Sequence, residues 1–396
     1  MIRTARVVVT VGCLALVGAL VAGCAQSGTP VAGEIDVRTL DSSSYPVNRY
    51  TYDRNANGGG TVLEGMRMAD AVVPTVRAEP SLKVGRGGIV LKSVDEVIDV
   101  SHLSSTAKPI LQNRGFIVGF ATSGADKPDV GEDKVDPTAT TMTIRLLRFP
   151  SEDAAKLAAR EIADADFNVA LDQNRKLTLA EYPDALIHWR PTVPTIGVAM
   201  PRKEFVISMF IVRTKPDQTE LMSLVKKGLD AEVPAVDAFR ATPADAIAKL
   251  PFDPDRMLAR TLVDSRDDST PDPDKFGYFG PNMLVHAAND QGVRQRLVDS
   301  TGMDQMANAG DGYLFRTRDA KAGNELVSGL IAILEGVENG SAPSGVPDSK
   351  CVHNSKGTAY RCWVVYKRYV GVVNADNEAD AHKLATAQYA LLANSL

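Results

Sequence analysis

The chain has 396 residues, of which 44% are hydrophobic, and a net charge of −5. That length suits two domains or one large one, and the apolar share is enough to fill real cores. A mildly acidic body argues against nucleic acid as a partner and gives no electrostatic pull toward anionic lipid.

Arg3 and Arg6 open a stretch in which residues 7–21 carry no charge. An uncharged run of about fifteen residues is short of the ~20 a membrane-spanning helix needs. A basic start, a short apolar run and small residues at its end are the parts of a secretory signal. The run closes on Val21-Ala22-Gly23-Cys24. This tetrapeptide resembles the bacterial lipobox, whose cysteine receives a diacylglycerol and becomes the new N-terminus. Residues 1–23 therefore read as a lipoprotein signal peptide and Cys24 as the lipidation site. Loss of the two signal arginines takes the charge from −5 to −7. Two or more acyl chains hold a protein stably, at ~0.8 kcal/mol per buried CH₂. Residues 24–60, polar and small from Ala25 to Pro30, read as a lipid-anchored tether.

In the body, Met66, Ala69, Val73 and Val76 fall near helical spacing and predict a helix over residues 63–76. Gly85-Arg86-Gly87-Gly88 precedes a short strand at 89–91, and residues 115–121 read as a buried strand. An acidic loop follows with Asp126, Asp129, Glu132, Asp133 and Asp136; it lacks a fixed calcium-ligand spacing. Residues 141–149 form a strand with Met142, Ile144 and Leu146 on one face. Ser151 caps a helix running to about Asp166, with Glu152 and Asp153 complementing its dipole. A short strand at 185–190 precedes a hairpin of 196–200 and 205–212. Asp217 then caps a helix, with Glu220 completing a capping box. Residues 233–255 are punctuated by Pro234, Pro243, Pro251 and Pro254 and read as a connector.

The second half repeats this outline. A strand at 312–317 leads into a helix begun by Asp319, with Leu326, Leu330, Ile331 and Leu334 inward. Cys351 and Cys362 are centred on Lys356-Gly357. A two-residue turn there sets His353 opposite Tyr360 and Cys351 opposite Cys362. The expectation is a disulfide-closed hairpin, worth roughly 3 kcal/mol in the chain-entropy model. Residues 362–366 and 369–373 pair around Lys367-Arg368, and Asn374 or Asp376 caps a last helix. Strand–helix–strand–hairpin–helix thus occurs near 141–230 and again near 312–393, the mark of a duplication. The fold class is α+β: two similar halves, 61–232 and 256–396, each a mostly antiparallel sheet with helices packed on one face.

The lipobox at Cys24, the segment Val37-Arg38-Thr39-Leu40-Asp41 followed by Tyr45-Pro46, the duplicated body and the Cys351/Cys362 pair together resemble a family of uncharacterised actinobacterial lipoproteins of the mycobacterial and nocardial kind. The resemblance implies location and fold class. That family's body is a domain of unknown function, so no catalytic or binding residue transfers.

Searches for chemistry exclude more than they find. His102, His188, His286, His353 and His382 make no His-Glu-x-x-His, and there is no Cys-x-x-Cys. Ser105 with Lys108 and Ser223 with Lys226 satisfy Ser-x-x-Lys but lack Ser-Asp-Asn and Lys-Thr-Gly companions. Gly85 to Gly88 precede a strand, whereas phosphate loops follow one. The expectation is therefore a non-enzymatic protein without metal or cofactor, anchored to the outer face of the cell membrane. It would bind an envelope lipid, glycolipid or protein, with Trp189, Phe210, Trp363 and Tyr366 as candidate cleft-lining residues. The alternatives are a cell-envelope hydrolase with a serine or carboxylate site, or a scaffold subunit of an envelope complex.

Overall fold

Strands form where apolar runs are bounded by turn residues, and here they form two sheets of the same design. A computed structural model describes residues 35–56, 58–101, 103–131, 135–266 and 270–396. The signal peptide, Cys24, His102, Glu132 and Asp133 lie outside the described residues. Residues 37–396 form one unit.

The first half contains strands β1 (Val84–Leu91), β2 (Val118–Ala125), β3 (Thr141–Arg148), β4 (Arg175–Leu177), β5 (Leu186–Trp189), β6 (Thr195–Arg202) and β7 (Phe205–Val212). Its helices are α1 (Gly60–Met68), α2 (Thr75–Ala78), α3 (Val94–Asp99), α4 (Lys108–Asn113), α5 (Glu152–Asn168) and α6 (Gln218–Ala238). The second half contains β8 (Phe276–Phe279), β9 (Gln305–Ala309), β10 (Gly312–Arg316), β11 (Val337–Gly340), β12 (Ser349–Asn354), β13 (Tyr360–Tyr366) and β14 (Tyr369–Ala375). Its helices are α7 (Asn282–His286), α8 (Gln291–Thr301), α9 (Ala320–Ala332) and α10 (Glu378–Ser395).

The sheet orders are β1-β2-β3-β7-β6-β5-β4 and β8-β9-β10-β14-β13-β12-β11. All neighbours pair antiparallel, and the two orders coincide strand for strand. The repeat seen in the sequence is thus longer by two strands at the start of each copy. Even the tight hairpins agree: Lys203 and Lys367, the first loop residue in each, both have φ of 52°.

The α+β class and the two similar halves are as expected. The helices, however, lie on both faces of each sheet. Ala155, Ala158, Ala159 and Ile162 of α5 pack with Leu147 and Val206 on one face. Gly228 of α6 lies against Met209 and Met142 on the other. In the second half, Gly323 of α9 approaches Val365 and Val370, while Gln388 of α10 approaches Gly371. The reason is legible in Phe205–Val212, which is nearly unbroken in apolar residues rather than alternating, the pattern of a strand covered on both sides.

The long helices α5, α6, α9 and α10 are capped by Ser151, Asp217, Asp319 and Asn377, each side chain accepting an N–H three residues on. Two details differ from expectation. Glu220 does not close a capping box but accepts from Arg213 at 2.6 Å. Asn377 supplants Asn374 and Asp376 as cap because β14 runs on to Ala375.

Other elements shift for local reasons. The helix expected over 63–76 ends at Met68 and resumes as α2 after Pro74, whose predecessor is biased toward extended backbone. Conversely, α6 runs through Pro234 to Ala238 and takes the first residues of the connector. The tether is also shorter than 24–60. Val47 accepts from Asn394 of α10 at 2.8 Å, Arg266 stacks on Tyr50, and the Ala56 N–H reaches Leu250 at 3.0 Å.

Cys351 and Cys362 are joined, with Cα atoms 4.1 Å apart. They pair directly, as do His353 and Tyr360. The turn is longer than two residues: Asn354 N–H bonds Ala359 O at 3.0 Å, and the loop runs between them.

Candidate functional site: an open groove on the first sheet

On the α5 face of the first sheet, cover and exposure meet at Arg145. On one side, Leu91, Ala121, Leu147, Ala199 and Val206 are roofed by α5, Val97 of α3 and Leu111 of α4. On the other side, the sheet runs on without a roof. Its floor there is Ile89, Ser123, Thr141, Thr143 and Phe210, and the groove above it measures about 1220 Å³. Val100 forms one rim and Val135, at the end of the acidic loop, the other. Ile89, Val100, Val135 and Phe210 are 39%, 45%, 50% and 41% exposed. Four large apolar side chains around one concavity make a patch of the kind that marks a binding surface.

The polar groups of the groove are mostly spoken for. Thr143 and Ser123 hydroxyls bond at 3.1 Å. The Ser101 hydroxyl donates to Val97 O at 2.6 Å. Arg145 donates through Nε to the Ser101 carbonyl at 2.8 Å and to its hydroxyl at 3.1 Å. Burial pushes the Arg145 guanidinium down to about 10, with Asp166 acting in the opposite sense. At the rim, Arg86 pairs with Asp129. Asp136 accepts from the Thr138 N–H and hydroxyl, which hold its carboxyl below the usual range.

Behind Arg145 lies a recess of about 340 Å³, shared by Phe210, Trp189, His188 and Asp166. Trp189 is buried and donates to Val193 O at 3.2 Å. Burial lowers the pKa of His188.

The four candidate cleft residues therefore divide. Phe210 and Trp189 meet at this recess, and Phe210 also floors the groove. Trp363 lines a separate pocket of about 440 Å³ in the second half. Tyr366 lies on the other face of β13, edge-on to Tyr389 of α10 at 5.4 Å. Arg145, Ile89, Val100 and Val135 were missed. The signal for Arg145 was its phase: it shares a strand face with Thr141 and Thr143, opposite Met142, Ile144 and Leu146. Among the described residues, no group of three or more His, Cys, Asp or Glu is placed to hold a metal ion, and no helix is long and apolar enough to cross a membrane.

Residues 51–252 match the family model described as Domain of unknown function (DUF7373) N-terminal, and residues 257–395 match its partner, Domain of unknown function (DUF7373) C-terminal. No curated protein matches the chain. Among solved structures, the extracellular domain of PknH from Mycobacterium tuberculosis is similar with a TM-score of 0.29 and 10% identity, over 41% of this chain and 93% of that one.

Proposed function

We propose that this chain, which belongs to the DUF7373 family through both of its halves, is a lipid-anchored extracytoplasmic protein that binds an envelope lipid or glycolipid without catalysis. The observation that carries the reading is the 1220 Å³ groove with Ile89, Val100, Val135 and Phe210 exposed along it. Its apolar walls suit acyl chains. The Ser123–Thr143 hydroxyl pair on its floor suits the hydroxyls of a head group. The lipobox ending in Cys24 would hold the groove at the membrane face, where such ligands are concentrated. The Cys351–Cys362 bond agrees with an oxidising compartment.

The test is to purify the chain from its own membranes and extract what it carries. Lipid should accompany the wild type at a fixed stoichiometry in native mass spectrometry. Phe210→Asp should strip it. A wild-type protein that arrives bare, or an equal load on Phe210→Asp, would refute the groove as the binding site.

A further inference from the structure

The second half has its own cavity on the equivalent face of its sheet. The register establishes the equivalence. Arg148 pairs with Phe205 as Arg316 pairs with Tyr369, so Tyr313 stands where Arg145 stands in the first half. Arg202 pairs with Phe205 as Tyr366 pairs with Tyr369, so Trp363 takes the place of Ala199 and Arg361 that of Gly197. The result is a pocket of about 440 Å³ walled by Phe279, Met283, Tyr313, Phe315 and Trp363. That volume lies within the ~300–1,000 Å³ of small-ligand sites.

One cation in this apolar lining is unaccounted for. Arg294, from α8, lines the pocket. Among the described residues its Nε is buried without a hydrogen-bond acceptor, and no ion pair reaches its guanidinium. Burial lowers its pKa, and no acid opposes that. Arg361, a second cation in the lining, gives its Nε to Asn374 at 2.7 Å. Asp274 is the carboxylate in the lining. A half-buried guanidinium without a counter-ion is a cost to the fold that a bound anion would remove.

We propose that this pocket binds a single-chain amphiphile with an anionic head, the head on Arg294 beside Arg361 and the chain along Tyr313, Phe315 and Trp363. A carboxylate and a phosphate monoester share the necessary chemistry: both accept charge-assisted bonds from a guanidinium fork. The site is separate from the groove of the first half and does not rest on it.

The chain has two tryptophans, so Trp189→Phe leaves Trp363 as the only indole. In that background, 11-bromoundecanoate titrated into the full mature chain should quench Trp363 saturably, because bromine quenches an indole it touches. Arg294→Gln should weaken binding by about tenfold or more, the loss of one charge-assisted bond, and Arg294→Lys should restore part of it. Arg361→Gln should weaken it less. Laurate and dodecyl phosphate should compete, their order naming the preferred head, and dodecyltrimethylammonium should not. Arg294→Gln should also raise the melting temperature of the ligand-free chain while abolishing the shift the probe causes. An arginine with a purely structural role would lower it. Absent quenching, quenching indifferent to both arginine substitutions, or equal competition by the cationic detergent would overturn the proposal. Loss of binding in the first-half groove would leave the Trp363 readout unchanged.

Discussion

Glu232 of α6 predicts that the fold weakens as pH rises toward 8. The side chain is fully buried. One oxygen accepts the Val73 N–H at 3.0 Å, and the other has no partner among the described residues. Burial pushes its carboxyl up to about 8 from an ordinary 4.5, the Val73 bond only partly opposing it. The folded chain therefore holds a proton that the unfolded chain releases above pH 4.5. Stability from this group is whole below 4.5 and is lost as pH rises through 8. Two other buried groups touch the same stretch of chain. Asp70, raised to about 6 by burial, accepts the Asn282 N–H at 3.1 Å. His286, lowered to about 4 by burial, meets Ala69 O at 3.1 Å. His286 in the unfolded chain, with its ordinary value of 6.5, and Asp70 in the folded chain are still part-titrated at pH 6.5, but what remains of both changes stability by under ~0.5 kcal/mol up to pH 8 and leaves most of the change over that interval to Glu232. Over that interval the free energy of unfolding should fall by roughly 1–2 kcal/mol. Urea unfolding at the two pH values, followed by circular dichroism, measures it. Glu232→Gln keeps a carbonyl oxygen for Val73 and cannot ionise, so its stability should be level across the interval, whatever its absolute value. Equal slopes for the wild type and the variant would refute the reasoning.

Three further outcomes are expected. Cys351→Ser with Cys362→Ser should cost roughly 3 kcal/mol in the same urea assay, since the bond closes a short loop in the unfolded chain; free thiols at both positions by mass mapping of the wild type would contradict the pairing. Glu64 is fully buried, pairs with Arg148 and Arg67, and accepts from Thr242 N–H at 3.0 Å and its hydroxyl at 2.8 Å. Glu64→Leu should cost about 3–5 kcal/mol by stranding the buried Arg148, and adding Arg148→Met should recover part of that loss, a coupling read from the double-mutant cycle. Cys24→Ala should move the protein from the membrane to the soluble fraction; membrane retention without a lipid label would refute the anchor.

Local chemistry was the most legible part of the fold. Ser151, Asp217 and Asp319 announce helix starts by residue type alone, and the apolar runs at 141–149 and 205–212 fix their strands. Short elements were not legible. β8 is four residues long, α7 five and α3 six, too few for any period to show. β9, Gln305–Ala309, is polar at Gln305 and Asn308 yet buried, because Asn308 bonds the Gly277 N–H and Pro273 O. Its partners are some thirty residues away in sequence. Pocket membership was illegible for the same reason. Val100, Val135 and Phe210 share a groove only because β1, β2, β3 and β7 pair and set the connections that carry Val100 and Val135 beside Phe210 on β7.

The two similar halves offer different cavities on one strand order. At the position of Ala199 and Trp363, the first half keeps a small side chain that α5 can cover, whereas the second places an indole on the pocket wall. A Cβ at Gly197 would lie 2.6 Å from the His188 ring, so a larger residue there requires that ring to shift; its counterpart Arg361 reaches into the pocket lining. Arg145, held by Ser101, lies at the head of an open sheet face, while its counterpart Tyr313 stacks parallel to Phe315 at 6.4 Å and helps to enclose a smaller space. The same strands thus present a wide groove in one half and an aromatic pocket in the other. These differences lie on the α5 face of the first sheet and the α9 face of the second. The hairpin turns at Lys203 and Lys367 and the strand order have stayed the same.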